Sequence, residues 1–196
     1  MNDRARGPWP AWVSRLVTRP GIALSFLWGL AEATFFFVVP DVLISLAAAY
    51  EPRRALRHII AATAGAVLGA AGMYAWATAS PATARAGVEQ LPFVRRAMID
   101  RVEKDYRKYG AGAVFRGPIA GIPYKIYAVQ APANVSMTVF LLVSVPARAA
   151  RFVLVWLCFS LAGWGLRRMW PERVAIPTAA HAVFWVGFYS YYWAVI

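Results

Sequence analysis

Apolar positions in this chain fall in blocks of bilayer length, and most charged positions fall between the blocks. The first block runs from Gly21 to Tyr50, longer than the ~20 residues one helical span needs, and it contains Glu32, Pro40 and Asp41. A lipid-facing helix does not carry such residues cheaply, since each charge at its centre costs at least ~2.5–3.5 kcal/mol. The pattern over 21–50 therefore predicts a re-entrant hairpin: a half-helix from Gly21 to about Phe37, a turn near Pro40, and a second half-helix from Asp41 to Tyr50. Non-helical backbone at membrane depth is tolerated where protein buries it or where it lines a cavity.

Glu51-Pro52-Arg53-Arg54 reads as a polar turn, and 58–79 as a transmembrane helix whose regular apolar run starts at Ile59. Gly65, Gly69 and Gly72 share much of one face there, either as a close-packing surface or as part of an Ala-rich filler without a defined partner. Residues 80–110 form the extended polar region. Leu91, Val94, Met98 and Val102 recur in it at helical spacing among mixed charges, which predicts an amphipathic connector outside the hydrocarbon. A second interrupted apolar block occupies 111–134. Arg116, Gly117, Pro118, Gly121, Pro123, Lys125 and Pro132 forbid one regular helix, so a second re-entrant hairpin is expected.

Asn134 and Ser136 are candidate caps for a transmembrane helix over 135–165, with Pro146, Arg148 and Arg151 as interruptions. Gly165 to Arg173 reads as a basic turn. The segment 176–196 is a final span with Tyr189, Tyr191, Tyr192 and Trp193 as an interfacial anchor. Residues 1–20 do not resemble a cleaved signal. Trp9, Trp12, Val13, Leu16 and Val17 instead suggest an interfacial helix with Arg15 and Arg19 toward headgroups. The expected fold class is an all-α polytopic integral membrane protein: two re-entrant helical hairpins in an inverted repeat, plus transmembrane helices.

Composition supports the membrane class, because 60% of the residues are apolar and 15% charged, with a mean hydropathy of +0.50. The net charge of +12 does not require nucleic acid, since the basic residues bracket apolar spans rather than lining one solvated face. Lys and Arg next to a bilayer gain ~1 kcal/mol each from anionic headgroups. Cys158 is the single cysteine, which excludes an intrachain disulfide, and His58 and His181 stand far apart in structural or interfacial positions. No metal-ligand spacing and no cofactor motif is present.

The candidate chemistry lies in the interrupted blocks. Glu32 and Asp41 are nine residues apart, Arg116 and Lys125 are also nine apart, and Pro40 and Pro123 fall near the second member of each pair. Broken apolar segments at matching positions in two halves point to a midplane site. Ions in low dielectric must pair, change protonation state or reach water. Arg116 and Lys125 are thus the candidate phosphate-binding cations, and Glu32 and Asp41 the charge-balancing or proton-carrying carboxylates. The same four could instead form static salt bridges that lock the fold. Arg148 and Arg151 are secondary candidates that either snorkel to headgroups or face the same cavity. An intramembrane enzyme is not expected: Ser25, Ser45 and Ser80 each lack a recognisable base.

The stretch from Glu32 through Ala-Thr-Phe-Phe-Phe-Val-Val to Pro40-Asp41, with Phe115-Arg116-Gly-Pro-Ile-Ala-Gly121-Ile-Pro123-Tyr-Lys125, resembles the DedA family, which shares its core with the VTT or SNARE-associated membrane proteins. The resemblance covers roughly Leu24 to Trp156. It implies two oppositely entering hairpins and movement of lipids between leaflets, with undecaprenyl phosphate or phospholipids as substrates and proton coupling in bacteria. Glu32 and Asp41 match the family's embedded acidic pair and Arg116 its first essential arginine. Lys125 matches the second arginine by analogy only, and a lysine lacks the bidentate fork of arginine.

The functional expectation is a flippase or scramblase for a phosphate-bearing lipid, with membrane lipids and protons as partners. The alternative is a proton-coupled transporter of ions or small cations. The resemblance implies a bacterial inner membrane, and Arg4, Arg6, Arg15 and Arg19 favour a cytoplasmic N-terminus.

Overall fold

The structure, a computed structural model, describes residues 15–173 and 175–195. Most of the interfacial helix expected over 1–20 lies outside the described residues. Within them, Val17 is buried against Ala47, Ala48 and Ala55 rather than turned to a membrane surface.

Among the described residues the chain is all-helical, without a strand. Helix α1 spans Arg19–Thr34, α2 Asp41–Tyr50, α3 Pro52–Ala79, α4 Pro81–Glu89 and α5 Arg96–Tyr109. A 3-10 segment, Gly110–Phe115, leads into α6, Arg116–Ala120, and then α7, Tyr124–Gln130. A short 3-10 turn, Ala131–Ala133, precedes α8, Met137–Met169, and α9 covers Ala175–Val195. The interrupted blocks are thus broken in the structure as well, at 35–40 between α1 and α2 and at 121–123 between α6 and α7. A proline immediately precedes each second segment, where its fixed φ favours helix initiation and its missing N–H costs nothing. Gly121 makes the second break possible: its φ of 66° is a left-handed value that terminates α6 without a Cβ penalty.

Several boundaries differ from the sequence pattern. The expected polar turn at Glu51–Arg54 is the first turn of α3, with Pro52 at a position prolines favour. The polar region is two helices, and Leu91 and Val94 fall in the break between them because Pro92 interrupts the register. Pro146 does not interrupt α8, and the expected basic turn begins late because Arg167 and Arg168 still belong to its last turn. Cations at a helix C-terminus are favoured by the helix dipole, which explains the extension.

Helices α3 and α8 are long and apolar enough to cross a membrane, by length and composition. Their apolar stretches are 39% and 28% buried, whereas the core helix of a soluble protein is mostly buried. Outward positions such as Ile60, Leu142, Leu154 and Leu161 are more than half exposed. Such continuous apolar faces are compatible with a membrane protein.

Close backbone approach organises the packing. Helix α1 lies along α3 so tightly that a Cβ on Gly65 would stand 1.9 Å from the Phe26 carbonyl oxygen, and one on Gly29 2.2 Å from that of Ala62. Gly69 faces Leu30 in the same seam, but Gly72 meets nothing within 4 Å and does not belong to it. Helix α8 approaches α2 the same way at Gly163, where a Cβ would be 2.3 Å from the Ala49 oxygen. Small residues permit this approach, and dispersion across the seam replaces the missing side chains. The connector docks through Tyr106, whose hydroxyl donates to the Tyr127 carbonyl at 2.9 Å. Burial pushes the Tyr106 phenol upward from its ordinary range, so it remains a donor.

Candidate functional site

Residues 35–40 bring the two interrupted segments together. Three side chains from different elements hold this linker: Trp28 donates Nε1–H to the Val38 oxygen at 2.8 Å, Tyr189 accepts the Val39 N–H at 2.9 Å, and Lys125 donates to the Phe36 oxygen at 2.7 Å. Lys125, from the first turn of α7, is 3% exposed. Only the two ends of the linker share in helical bonding, Phe35 N–H to the Ala31 oxygen and the Pro40 oxygen from Ile44 N–H, so these side chains satisfy backbone groups between them.

A cavity of about 300 Å³ opens beside the linker and is lined by Glu32, Asp41, Lys125 and Arg151. Its remaining wall is largely aromatic, with Phe36 and Phe37 from the linker and Trp185, Phe188, Tyr189 and Tyr192 from α9. Tyr192 also donates to the Gly121 oxygen at 3.2 Å. Tyr189 and Tyr192 therefore hold the two chain breaks, a more specific role than the interfacial anchor their position suggested.

The ion pairs differ from the expected partnership of Glu32 and Asp41 with Arg116 and Lys125. Glu32 pairs with Arg148 at 2.5 Å, and both are almost completely buried. Asp41, at 0% exposure, pairs with Arg151. These two arginines are three residues apart on α8, which places them on one helix face toward the carboxylates. Arg148 also stacks over the rings of Tyr124 and Phe152, at 4.8 and 5.1 Å from their centroids. The sequence signal for these partners was the i, i+3 spacing of two arginines inside an apolar helix.

Arg116 is not brought to the cavity. It donates Nε–H to Asp105 at 3.2 Å and lies over the Tyr109 ring, with its side chain 37% exposed. Asp105 is buried and also accepts the Tyr127 hydroxyl at 3.0 Å. This group ties the connector to the second interrupted segment. Of the four first-rank candidates, Glu32, Asp41 and Lys125 meet at one site and Arg116 stands apart.

Three cations, Lys125, Arg148 and Arg151, surround two carboxylates at this site. Lys125 is held by a carbonyl rather than by a carboxylate. One oxygen of Asp41, Oδ1, is buried without a hydrogen-bond partner among the described residues. Asp41 opens α2, where a negative charge is favoured by the dipole. The arrangement thus places a buried ammonium and a carboxylate oxygen open to a further donor at one cavity.

The expectation that Ser25 and Ser45 lack a base is corrected by the geometry. Ser25 hydrogen-bonds His58 Nδ1 at 2.7 Å, and Ser45 hydrogen-bonds His181 Nε2 at 2.9 Å while accepting the Trp185 N–H at 3.0 Å. These contacts join α1 to α3 and α2 to α9 across distances in sequence that give no local motif. None of the four residues lines the cavity. Among the described residues no group of His, Cys, Asp and Glu side chains is placed to hold a metal. In comparisons with known proteins, no family model, no curated protein and no solved structure matches the chain.

Proposed function

We propose that this protein is a polytopic membrane protein of the DedA type that moves a phosphate-bearing lipid, such as undecaprenyl phosphate or a phospholipid, between leaflets. The observation that carries the reading is the surplus cation: Lys125, itself buried, lines the cavity with no carboxylate as its direct partner. A buried charge in that position is costly until an anion joins it. A lipid phosphate supplies that anion while its tails stay in the hydrocarbon. In this reading α3 and α8 cross the bilayer, and the segments 21–50 and 111–134 are re-entrant hairpins of an inverted repeat. Glu32 and Asp41 balance the arginines of α8, and Asp41 takes up the coupling proton at its unpartnered oxygen.

Reconstitution tests the proposal. Purified protein in vesicles is expected to equilibrate a labelled phospholipid or polyprenyl phosphate across the bilayer, and Lys125→Met and Glu32→Gln are expected to do so poorly. Undiminished equilibration by both variants would remove the site from the mechanism.

The idle oxygen of Asp41 favours one second reading, a proton-coupled transporter of ions or small cations. That reading predicts solute-dependent proton flux in protein-containing vesicles, with no movement of labelled lipid.

A further inference from the structure

The turn between α4 and α5 carries a residue of the wrong type for its backbone. Val94 N–H bonds to the Leu91 oxygen at 3.2 Å, closing a four-residue turn with Pro92 and Phe93 at its centre. Phe93 has a φ of 64° and is the single non-glycine residue with positive φ among those described. Proline followed by a positive φ is the arrangement in which turns ordinarily select glycine or asparagine. A bulky aromatic there stores strain that the surroundings must hold in place.

The Phe93 ring is held by two others. It stacks on Trp193 of α9 at 5.4 Å between centroids with an interplanar angle of 12°, and it meets Phe37 of the linker at 5.3 Å. Phe37 and Trp193 also touch, at 5.9 Å. All three rings are between one-third and one-half exposed, and Phe93 and Phe37 line the charged cavity. The cluster therefore stands where the cavity wall meets the surface.

The three rings are not equally anchored. Phe37 lies between Phe36, whose oxygen accepts from Lys125, and Val38, whose oxygen accepts from Trp28. Trp193 sits in a continuous helix. Phe93 occupies a turn outside any helix, at a positive φ that a bulky residue rarely adopts. We propose that Phe93 is the movable leaf of an aromatic gate over the charged cavity, with Phe37 and Trp193 as its fixed frame. Movement of the connector turn swings the ring away from Trp193 and opens the cavity, while the ring contacts hold the strained turn closed.

A thiol reporter inside the cavity tests the gate without any assumption about what the cavity carries. Cys158, the native cysteine, is replaced by Ser, and Val155, which lines the cavity, is replaced by Cys. The rate of modification by a small water-soluble methanethiosulfonate is then measured with Phe93 native or replaced by Gly, Ala or Trp. A closed state that dominates an open state populated at ~10% or less predicts a roughly tenfold faster rate for Phe93→Gly. Phe93→Ala is expected to be faster as well, and Phe93→Trp to stay slow. Phe93→Gly is also expected to keep or raise the melting temperature, because glycine relieves the strain. Equal rates for all four forms would overturn the gate, as would a Phe93→Gly form that melts earlier without reacting faster. Either failure would leave the lipid-translocation proposal standing, since vesicle equilibration reports on it separately.

Discussion

Lys125 donates to the carbonyl oxygen of Phe36 at 2.7 Å, across 89 residues of sequence, and so joins the second interrupted segment to the linker of the first. The contact places a cation at the cavity and ties down a backbone group that the chain break leaves without a helical partner. Position and charge are separable in this arrangement, because the carbonyl needs only a donor whereas an anion needs the charge.

Replacing Lys125 by Met removes both. The lost hydrogen bond to a charged donor predicts a destabilisation of about 1.5–3 kcal/mol, measured by thermal or denaturant unfolding in detergent. Replacing it by Gln keeps a donor and removes the charge. Lys125→Gln is therefore expected to recover stability toward the native value without recovering anion binding or lipid transport. Equal transport by the native and Gln forms would show that the cation has no part in it.

Glu32 and Arg148 form the most deeply buried ion pair described, at 6% and 3% side-chain exposure. Breaking such a pair from one side leaves an uncompensated charge and costs about 3–5 kcal/mol, whereas removing both partners together is often close to neutral. Arg148→Met is therefore expected to be strongly destabilising and the double variant Arg148→Met with Glu32→Leu much less so. Stability measurements on the four members of this double-mutant cycle give the coupling directly. Strict additivity would mean that the two charges do not depend on each other in the folded protein.

The all-helical class and both chain breaks were readable because apolar run length and proline position act locally on the sequence. Pro40 and Pro123 marked both chain breaks, since a proline cannot continue a helix without losing a hydrogen bond. Pro146 carried the same letter with a different outcome, because the 33-residue α8 continues on both sides of it and absorbs one missing bond without breaking. At the site, Glu32, Asp41 and Lys125 stood out as ions inside apolar sequence. Arg148 and Arg151 stood out only as secondary candidates, because pairing is decided by which helix faces come together: α8 brings both to the carboxylates, and Asp105 of the connector draws Arg116 away. The Ser25–His58 bond was equally hidden, since it depends on the close α1–α3 seam made by Gly29 and Gly65.

The glycine seams make a prediction with an internal control. Gly65→Ala and Gly163→Ala place a Cβ 1.9 and 2.3 Å from backbone oxygens, far inside contact distance, so the helices must separate. Overpacking of this kind costs about 1–3 kcal/mol or more. Gly72→Ala, on the same helix as Gly65, meets open space and is expected to stabilise by about 0.5–1 kcal/mol through helix propensity alone. Melting temperatures of the three variants should therefore fall, fall and rise. A uniform response would remove the seam as an organising contact.

Arg116 provides the sharpest separation between the sequence pattern and the structure. Its half-exposed guanidinium meets Asp105 and the Tyr109 ring away from the cavity, so Arg116→Ala is expected to act through the connector rather than through ligand binding. Asp105→Asn should cost more, about 1–3 kcal/mol, because Asp105 is 4% exposed and receives both Arg116 and the Tyr127 hydroxyl. Both variants are expected to loosen the docking of α5, which hydrogen exchange at Ile99 to Tyr106 reads directly. Transport by Arg116→Ala should decline in proportion to that loosening and recover with Arg116→Lys, which keeps a cation beside Asp105. A complete loss of transport in Arg116→Ala with α5 fully protected would instead place Arg116 on the lipid path.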